Sequence, residues 1–175
     1  QRKLLMKLYR VVAKNLGPKA DIRPILGESG RFHNEFARWN PTLDIPRMPK
    51  RICCAPSIAQ CIISMPDTVF NVAKRRVLRV YVTETDDYID CPPDVEWDTD
   101  LTDEKWLLKK KRFYLDGTLG REFQICARSV LYADNSGTLD QVLTSAQQMI
   151  LLRYKLKAIQ FLLDQHYQSR LAKAI

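Results

Sequence analysis

The last 38 residues, Thr138 to Ile175, contain neither glycine nor proline. An uninterrupted run of this length restricts the chain to helix there, as one long rod or a broken pair. Met149, Leu152, Leu156, Ile159 and Leu163 follow a three-four spacing, with Val142 one heptad earlier. That is the spacing of a helix with one face buried. Leu151, Tyr154, Phe161 and Leu162 widen the apolar arc beyond one stripe. Such a helix either packs on the sheet or meets a copy of itself or a partner, since a monomer would need to hide both of its sides.

Residues 15–50 are the opposite case. Gly17, Pro18, Pro24, Gly27, Gly30, Pro41, Pro46 and Pro49 fall within them. This density predicts a long irregular segment with a short helix over "RFHNEFARW", and a loop this long is usually functional or ordered by a partner. The remaining stretches read as strands separated by turns. "KLLMKLYRVVAK" and "KRICCA" are short, apolar and rich in β-formers, and "RRVLRVYVTET" alternates Val77, Arg79, Tyr81 and Thr83 against Leu78, Val80 and Val82. "EKWLLKKKRFYLDG" reads as one strand or two, and "REFQICARSVLYAD" as another, followed by an "NSG" turn. After "KRICCA", Pro56 stops the strand and Ser57 is a good N-cap for a helix "IAQCIISM" closed by Pro66. "DDYIDCPPDVEWDTDLTD" reads as an acidic loop. The expectation is an α+β protein: a mixed sheet of five or six strands, short helices, long loops and a C-terminal helical segment. Residues 6–118 would form the α+β domain, and 119–175 a strand plus helical extension. "MKLYRVVAKNLG" reads like a natural start, which makes residues 1–5 a leader or leftover.

The chain has five cysteines: Cys53, Cys54, Cys61, Cys91 and Cys126. No C-x-x-C occurs, and the two histidines, His33 and His166, lie far apart, so no metal site is expected. Reduced packing thiols in a cytoplasmic setting account for them. A nucleophilic pairing of His33 with Cys53 or Cys54 lacks a third, orienting residue. No apolar run reaches the ~18 residues of a membrane helix, and no membrane is expected. The net charge is +8, densest in "AKRRVLR" and "KWLLKKKR". That permits an anionic partner, nucleic acid included, although the basic runs lack interleaved aromatics.

The order is a strand with Tyr9-Arg10, a long loop, a strand–Ser57–helix corner, a strand, an acidic loop and a strand beginning near Glu104. This resembles the ADP-ribosyltransferase fold, and in particular small phage- and host-encoded proteins with "MKLYRV", "RICxAPSI" and a "(T/D)-x-E-x-W" strand. Here those motifs read "MKLYRV", "RICCAPSI" and Thr102-Asp103-Glu104-Lys105-Trp106. The resemblance spans about Met6 to Gly117. It implies NAD as cofactor, with Arg10 gripping the diphosphate, Ser57 orienting the nicotinamide-side ribose or the glutamate, and Glu104 stabilising the cation that forms as the glycosidic bond breaks. The acceptor would be a host protein or nucleic acid. Two departures bear on activity: Thr102 stands where many such transferases carry Glu or Gln, and Ala55-Pro56 precede the serine. The alternative is a non-catalytic virion or assembly protein whose C-terminal helix docks into a larger complex. The setting would be host cytoplasm or a virion. On the bland readings, Arg10 is a surface arginine on an edge strand, Ser57 a helix cap and Glu104 one more acid in a loop.

Overall fold

A computed structural model describes residues 3–64, 77–92, 99–132 and 144–174. The expected α+β architecture is present: two β-sheets, of four and three strands, with helices and one long C-terminal helix. The Pro66 helix stop, Val142, the "NSG" turn and the centre of the acidic loop lie outside the described residues.

The first sheet runs in the order β1 (Met6–Val12), β4 (Leu78–Thr85), β7 (Lys111–Leu119), β2 (Lys19–Ile22). The second runs β3 (Ile52–Cys54), β6 (Lys105–Leu107), β5 (Ile89–Asp90). Neighbouring strands in both are antiparallel. A bridge between Tyr9 and Ala55, whose amides each donate to the other's carbonyl at 2.8 and 3.1 Å, links the free side of β1 to the chain just after β3. "EKWLLKKKRFYLDG" is therefore two strands, β6 and β7. The Gly/Pro-dense segment also contains a strand, β2. Its Asp21 carboxylate takes a bidentate pair of bonds from the Arg112 guanidinium on β7 (2.8 and 3.1 Å), which holds that carboxyl below the usual range. Gly17, at φ +83°, turns the chain between β1 and β2, in the left-handed region that glycine enters without penalty. The buried Tyr81 hydroxyl donates to its carbonyl at 2.8 Å and accepts from the Leu16 amide at 3.0 Å.

Alternation along the strands gives each sheet face its own core. Leu8, Ala20, Tyr81 and Phe113 point from one face of the first sheet onto Ile52, Cys54 and Leu107 of the second. On the opposite face, Val11, Leu78, Val80 and Leu119 meet three helices. These are α2 (Ile58–Ser64), α4 (Arg121–Leu131) and α5 (Ser145–Ala174), with the short α3 (Thr99–Thr102) against α2 and α5 and with α1 (Glu28–Trp39) lying elsewhere. The outer face of the second sheet is closed by Trp106, Met48 and Cys91, with the Arg51 guanidinium stacked 4.4 Å from the Trp106 ring.

The strand expected over "REFQICARSVLYAD" is helix α4 instead. The segment alternates, but it also places Phe123, Ala127 and Leu131 four apart, all buried in the helix-covered core. Ile125, which a strand would place beside Phe123 and Ala127, is exposed. Burying the four-spaced set decides between the two periods. Cys126, expected in a strand, is likewise exposed on α4, whereas Cys54, Cys61 and Cys91 are buried as packing thiols.

The C-terminal segment is one helix of 30 residues, about 45 Å at 1.5 Å per residue. Thr144-Ser145-Ala146-Gln147 starts it as a capping box: the Gln147 amide donates to Thr144 Oγ1 (3.2 Å) and the Thr144 amide to Gln147 Oε1 (2.8 Å). Four of the three-four set face the core, where Leu152, Leu156, Ile159 and Leu163 pack with Tyr167; Met149, one turn earlier, is not part of that cluster. His166 is a packed histidine, bonded to the Thr118 carbonyl at 3.0 Å and edge-on to Phe123 and Tyr167. On the far side of the same helix, Ile150, Tyr154 and Phe161 are 65, 69 and 60 % exposed. Helix α1 also turns an apolar edge outward, with Phe32, Phe36 and Trp39 at i, i+4, i+7 and all exposed. Its inner side is tied to the following loop, where Asn34 exchanges two hydrogen bonds with the Met48 backbone and His33 meets the Pro46 carbonyl. Among the described residues no helix is long and apolar enough to cross a membrane.

Candidate functional site

Arg10 and Glu104 lie far apart in sequence but line one small cavity, where β1 meets the β3–α2 corner. The Arg10 guanidinium donates to the Cys53 carbonyl at 3.0 Å, across the junction of the two sheets. Beyond joining β1 to β4, the fold thus covers the other side of β1 with the 53–55 segment, and Arg10 is a tie between them, not an open edge residue. Glu104 precedes β6 and follows Asp103, whose φ of 46° is left-handed, a conformation that aspartate tolerates better than most residues. Its carboxylate accepts from the Trp106 indole N–H at 2.7 Å.

Between these two side chains stand thiols. Cys53, Cys54 and Cys61 line the same cavity. Burial, joined by the nearby Glu104 carboxylate, pushes the Cys53 thiol up to about 12. Burial pushes Cys61 up to about 12 as well and raises Cys54 further. The neutral thiol therefore dominates at any physiological pH. Since the thiolate is the nucleophile and the metal-binding form, these cysteines are packing groups with no chemistry of their own. The Cys61 Sγ donates to the Tyr9 carbonyl at 3.0 Å, a further contact at the sheet junction. His33 places a ring nitrogen on the Pro46 carbonyl, and among the described residues no contact joins it to Cys53 or Cys54. Among the described residues no cluster of His, Cys, Asp and Glu has the arrangement of a metal site.

Ser57 does not line this cavity. Its hydroxyl accepts from the Gln60 amide at 3.2 Å and donates to Gln60 Oε1 at 2.8 Å, while its carbonyl accepts from the Cys61 amide. This is the N-cap of α2, and both functions of the hydroxyl are used. Gln60 in turn donates to the Leu101 carbonyl at 3.1 Å, fastening α2 to α3.

The cavity encloses about 10 Å³. One water needs about 10–15 Å³ on this measure, and organic ligands occupy sites of about 300–1,000 Å³. The residues expected to hold NAD therefore do not fit a dinucleotide in this arrangement: Arg10 and Glu104 share a space of water size, one N–H of the first on the Cys53 carbonyl and one oxygen of the second on the Trp106 indole, and Ser57 is a helix cap. The chain matches no family model, no curated protein and no solved structure.

Two features of this region were not anticipated from the sequence. Lys105, next to Glu104, is buried and paired with Asp90 (2.5 Å) and Asp103 (2.7 Å), both far more exposed than the lysine. Burial alone would lower its ammonium pKa, but the two carboxylates outweigh burial and raise it. A solvent-open trough of about 530 Å³ also lies on the helix-free end of the first sheet, with Lys7, Lys110, Lys111 and Arg112 among its lining. The lysine pattern "KKKR" was the available signal for it, but only strand pairing brings Lys7 and Glu84 alongside.

Proposed function

We propose that this chain is a non-catalytic assembly subunit that docks into a larger complex through helix α5. The observation that carries the reading is the outward face of that helix: Ile150, Tyr154 and Phe161 lie opposite its core-facing residues and stay in solvent. A partner covering this stripe removes apolar surface from water at about 25 cal/mol per Å². The exposed aromatic edge of α1 supports the same reading with a second apolar surface. Virion or host-cell assemblies are the settings that the motif resemblance implies. Light scattering across a concentration series tests the proposal. Mass is expected to grow with concentration, and a Tyr154→Lys/Phe161→Lys variant to remain monomeric and folded, with a melting temperature lowered by only a few degrees. A strictly monomeric parent protein at all concentrations counts against it.

A second reading retains the NAD-dependent transferase. What supports it is that Arg10 and Glu104 line one cavity. It requires that cavity to widen and Ser57 to leave its cap. Incubation with labelled NAD and a cell extract, beside Glu104→Gln, tests it. Label transfer that disappears in the variant would restore the enzyme, and the absence of transfer and of NAD binding leaves the assembly reading alone.

A further inference from the structure

We propose that the trough on the first sheet is a binding site for single-stranded nucleic acid, with Lys7, Lys110 and Lys111 on the phosphates and Tyr114 under a base. This is independent of the α5 surface. Lys7, Glu84, Arg112 and Tyr114 come from three adjacent strands, where the register sets Lys7 beside Glu84 and Val82 beside Tyr114. Lys110 enters from the connection between β6 and β7, and Lys111 is the first residue of β7. The helices cover the other end of this face through Val11, Leu78, Val80 and Leu119 and stop short of it. The result is a concave patch of a size that admits a ligand.

Charge and shape select the ligand. Arg112 is engaged with Asp21. Among the described residues, Lys7, Lys110 and Lys111 take part in no ion pair and face one carboxylate in the trough, Glu84. Lys19, paired with Tyr114 across β2 and β7, adds a further exposed cation on the sheet. The surplus favours a polyanion. Tyr114 stands half-exposed within the patch, beside the Val82 side chain and the Arg112 guanidinium. A planar ring among spaced lysines suits unpaired bases, which stack on aromatics while their phosphates meet the cations. A duplex keeps its bases stacked inside and has nothing to offer the ring. An acidic peptide would use the charge but leave the ring idle.

The test is fluorescence anisotropy with the full chain and a labelled short oligothymidylate, over a series of salt concentrations. With three phosphate contacts the slope of log K against log salt is expected near −2, at about −0.7 per contact. Lys110→Ala/Lys111→Ala flattens it by about 1.4. Tyr114→Ala weakens oligothymidylate binding by about tenfold, as expected for one lost stack, and leaves binding of inorganic polyphosphate unchanged. These side chains are exposed or half-buried, and matching melting curves verify that the variants fold. An absence of binding at low salt, or equal losses from a charge-matched Arg153→Ala/Lys157→Ala variant, overturns the proposal. So does thymidine monophosphate binding as tightly as the oligomer, duplex binding more tightly than the single strand, or Tyr114→Ala weakening polyphosphate equally.

Discussion

Leu163→Ala and Phe161→Ala, two residues apart on α5, are expected to differ severalfold in their effect on stability. Leu163 is 2 % exposed and packs with Ile159, Leu119 and Phe123 in the helix-covered core. Truncating a buried leucine removes its transfer energy and leaves a cavity, together about 2–5 kcal/mol. Phe161 is 60 % exposed, so folding covers less than half of it. Whole burial of such a side chain stabilises by about 1.5–3 kcal/mol, and the covered part accounts for about 0.6–1.2. Alanine's better helix propensity returns a few tenths, to about 0.5 kcal/mol, of that. For a chain of this size the leucine change lowers the melting temperature by about 4–20 °C, and the phenylalanine change by about 4 °C or less. Urea denaturation at protein concentrations low enough to keep the chain monomeric reads both, with the denaturant slope held constant as the check on a two-state transition. Equal costs at the two positions would refute the assignment of core and solvent faces, and with it the argument that α5 carries a surface awaiting a partner.

Ser57→Ala is expected to cost about 0.5–2 kcal/mol by removing the α2 cap, with Ser57→Asp retaining most of the stability in the same thermal melt. A thiol reagent at about pH 8 is expected to modify Cys126 rapidly and to spare Cys53, Cys54 and Cys61 until the protein unfolds, as read by mass spectrometry of peptides. The Cys53 and Cys61 thiols titrate near 12 in the folded chain against an ordinary value near 9. A raised acid pKa stabilises fully below the unfolded value, and the benefit is lost as pH climbs from about 9 toward 12. The urea midpoint is therefore expected to fall across that window, and to fall less in a Cys53→Ala/Cys61→Ala variant.

Much of the fold was readable where local and tertiary demands agree. The three-four spacing of Leu152, Leu156, Ile159 and Leu163 marks the face that α5 buries; in β4 the alternation holds for Leu78 and Val80, but Tyr81 and Thr83 of the opposing set are buried too, because the second sheet covers that face, and Val82 is only partly buried. Ser57 was readable as a cap because capping is a contact within one turn. "REFQICARSVL" misled because its apolar residues satisfy both periods, and only the docking of Phe123, Ala127 and Leu131 onto the sheet separates them. Strand β2 escaped notice because "KADI" has little propensity of its own and is held by pairing with a distant strand. The site is harder still. Sequence order suggested that Arg10 and Glu104 converge, and they do line one cavity. The intervening thiols, its water-sized volume and the partners taken by one Arg10 N–H and one Glu104 oxygen depend on packing that no spacing encodes. The basic trough is the reverse: its cations were visible as a run, while the concavity that gathers them belongs to the sheet.

The contact between Tyr9 and Ala55 has a mechanical consequence. Two sheets that share an apolar core are stitched along one edge by a backbone bridge and the Arg10 guanidinium, with the Cys61 thiol of α2 on the same strand, as covers are to a spine. These ties gather at Tyr9–Arg10 and Cys53–Ala55, the fold line between the two leaves. Removing Arg10 would loosen that fold line while leaving both leaves intact. Amide exchange at Tyr9 and Ala55 would then quicken together, ahead of the interior of β4.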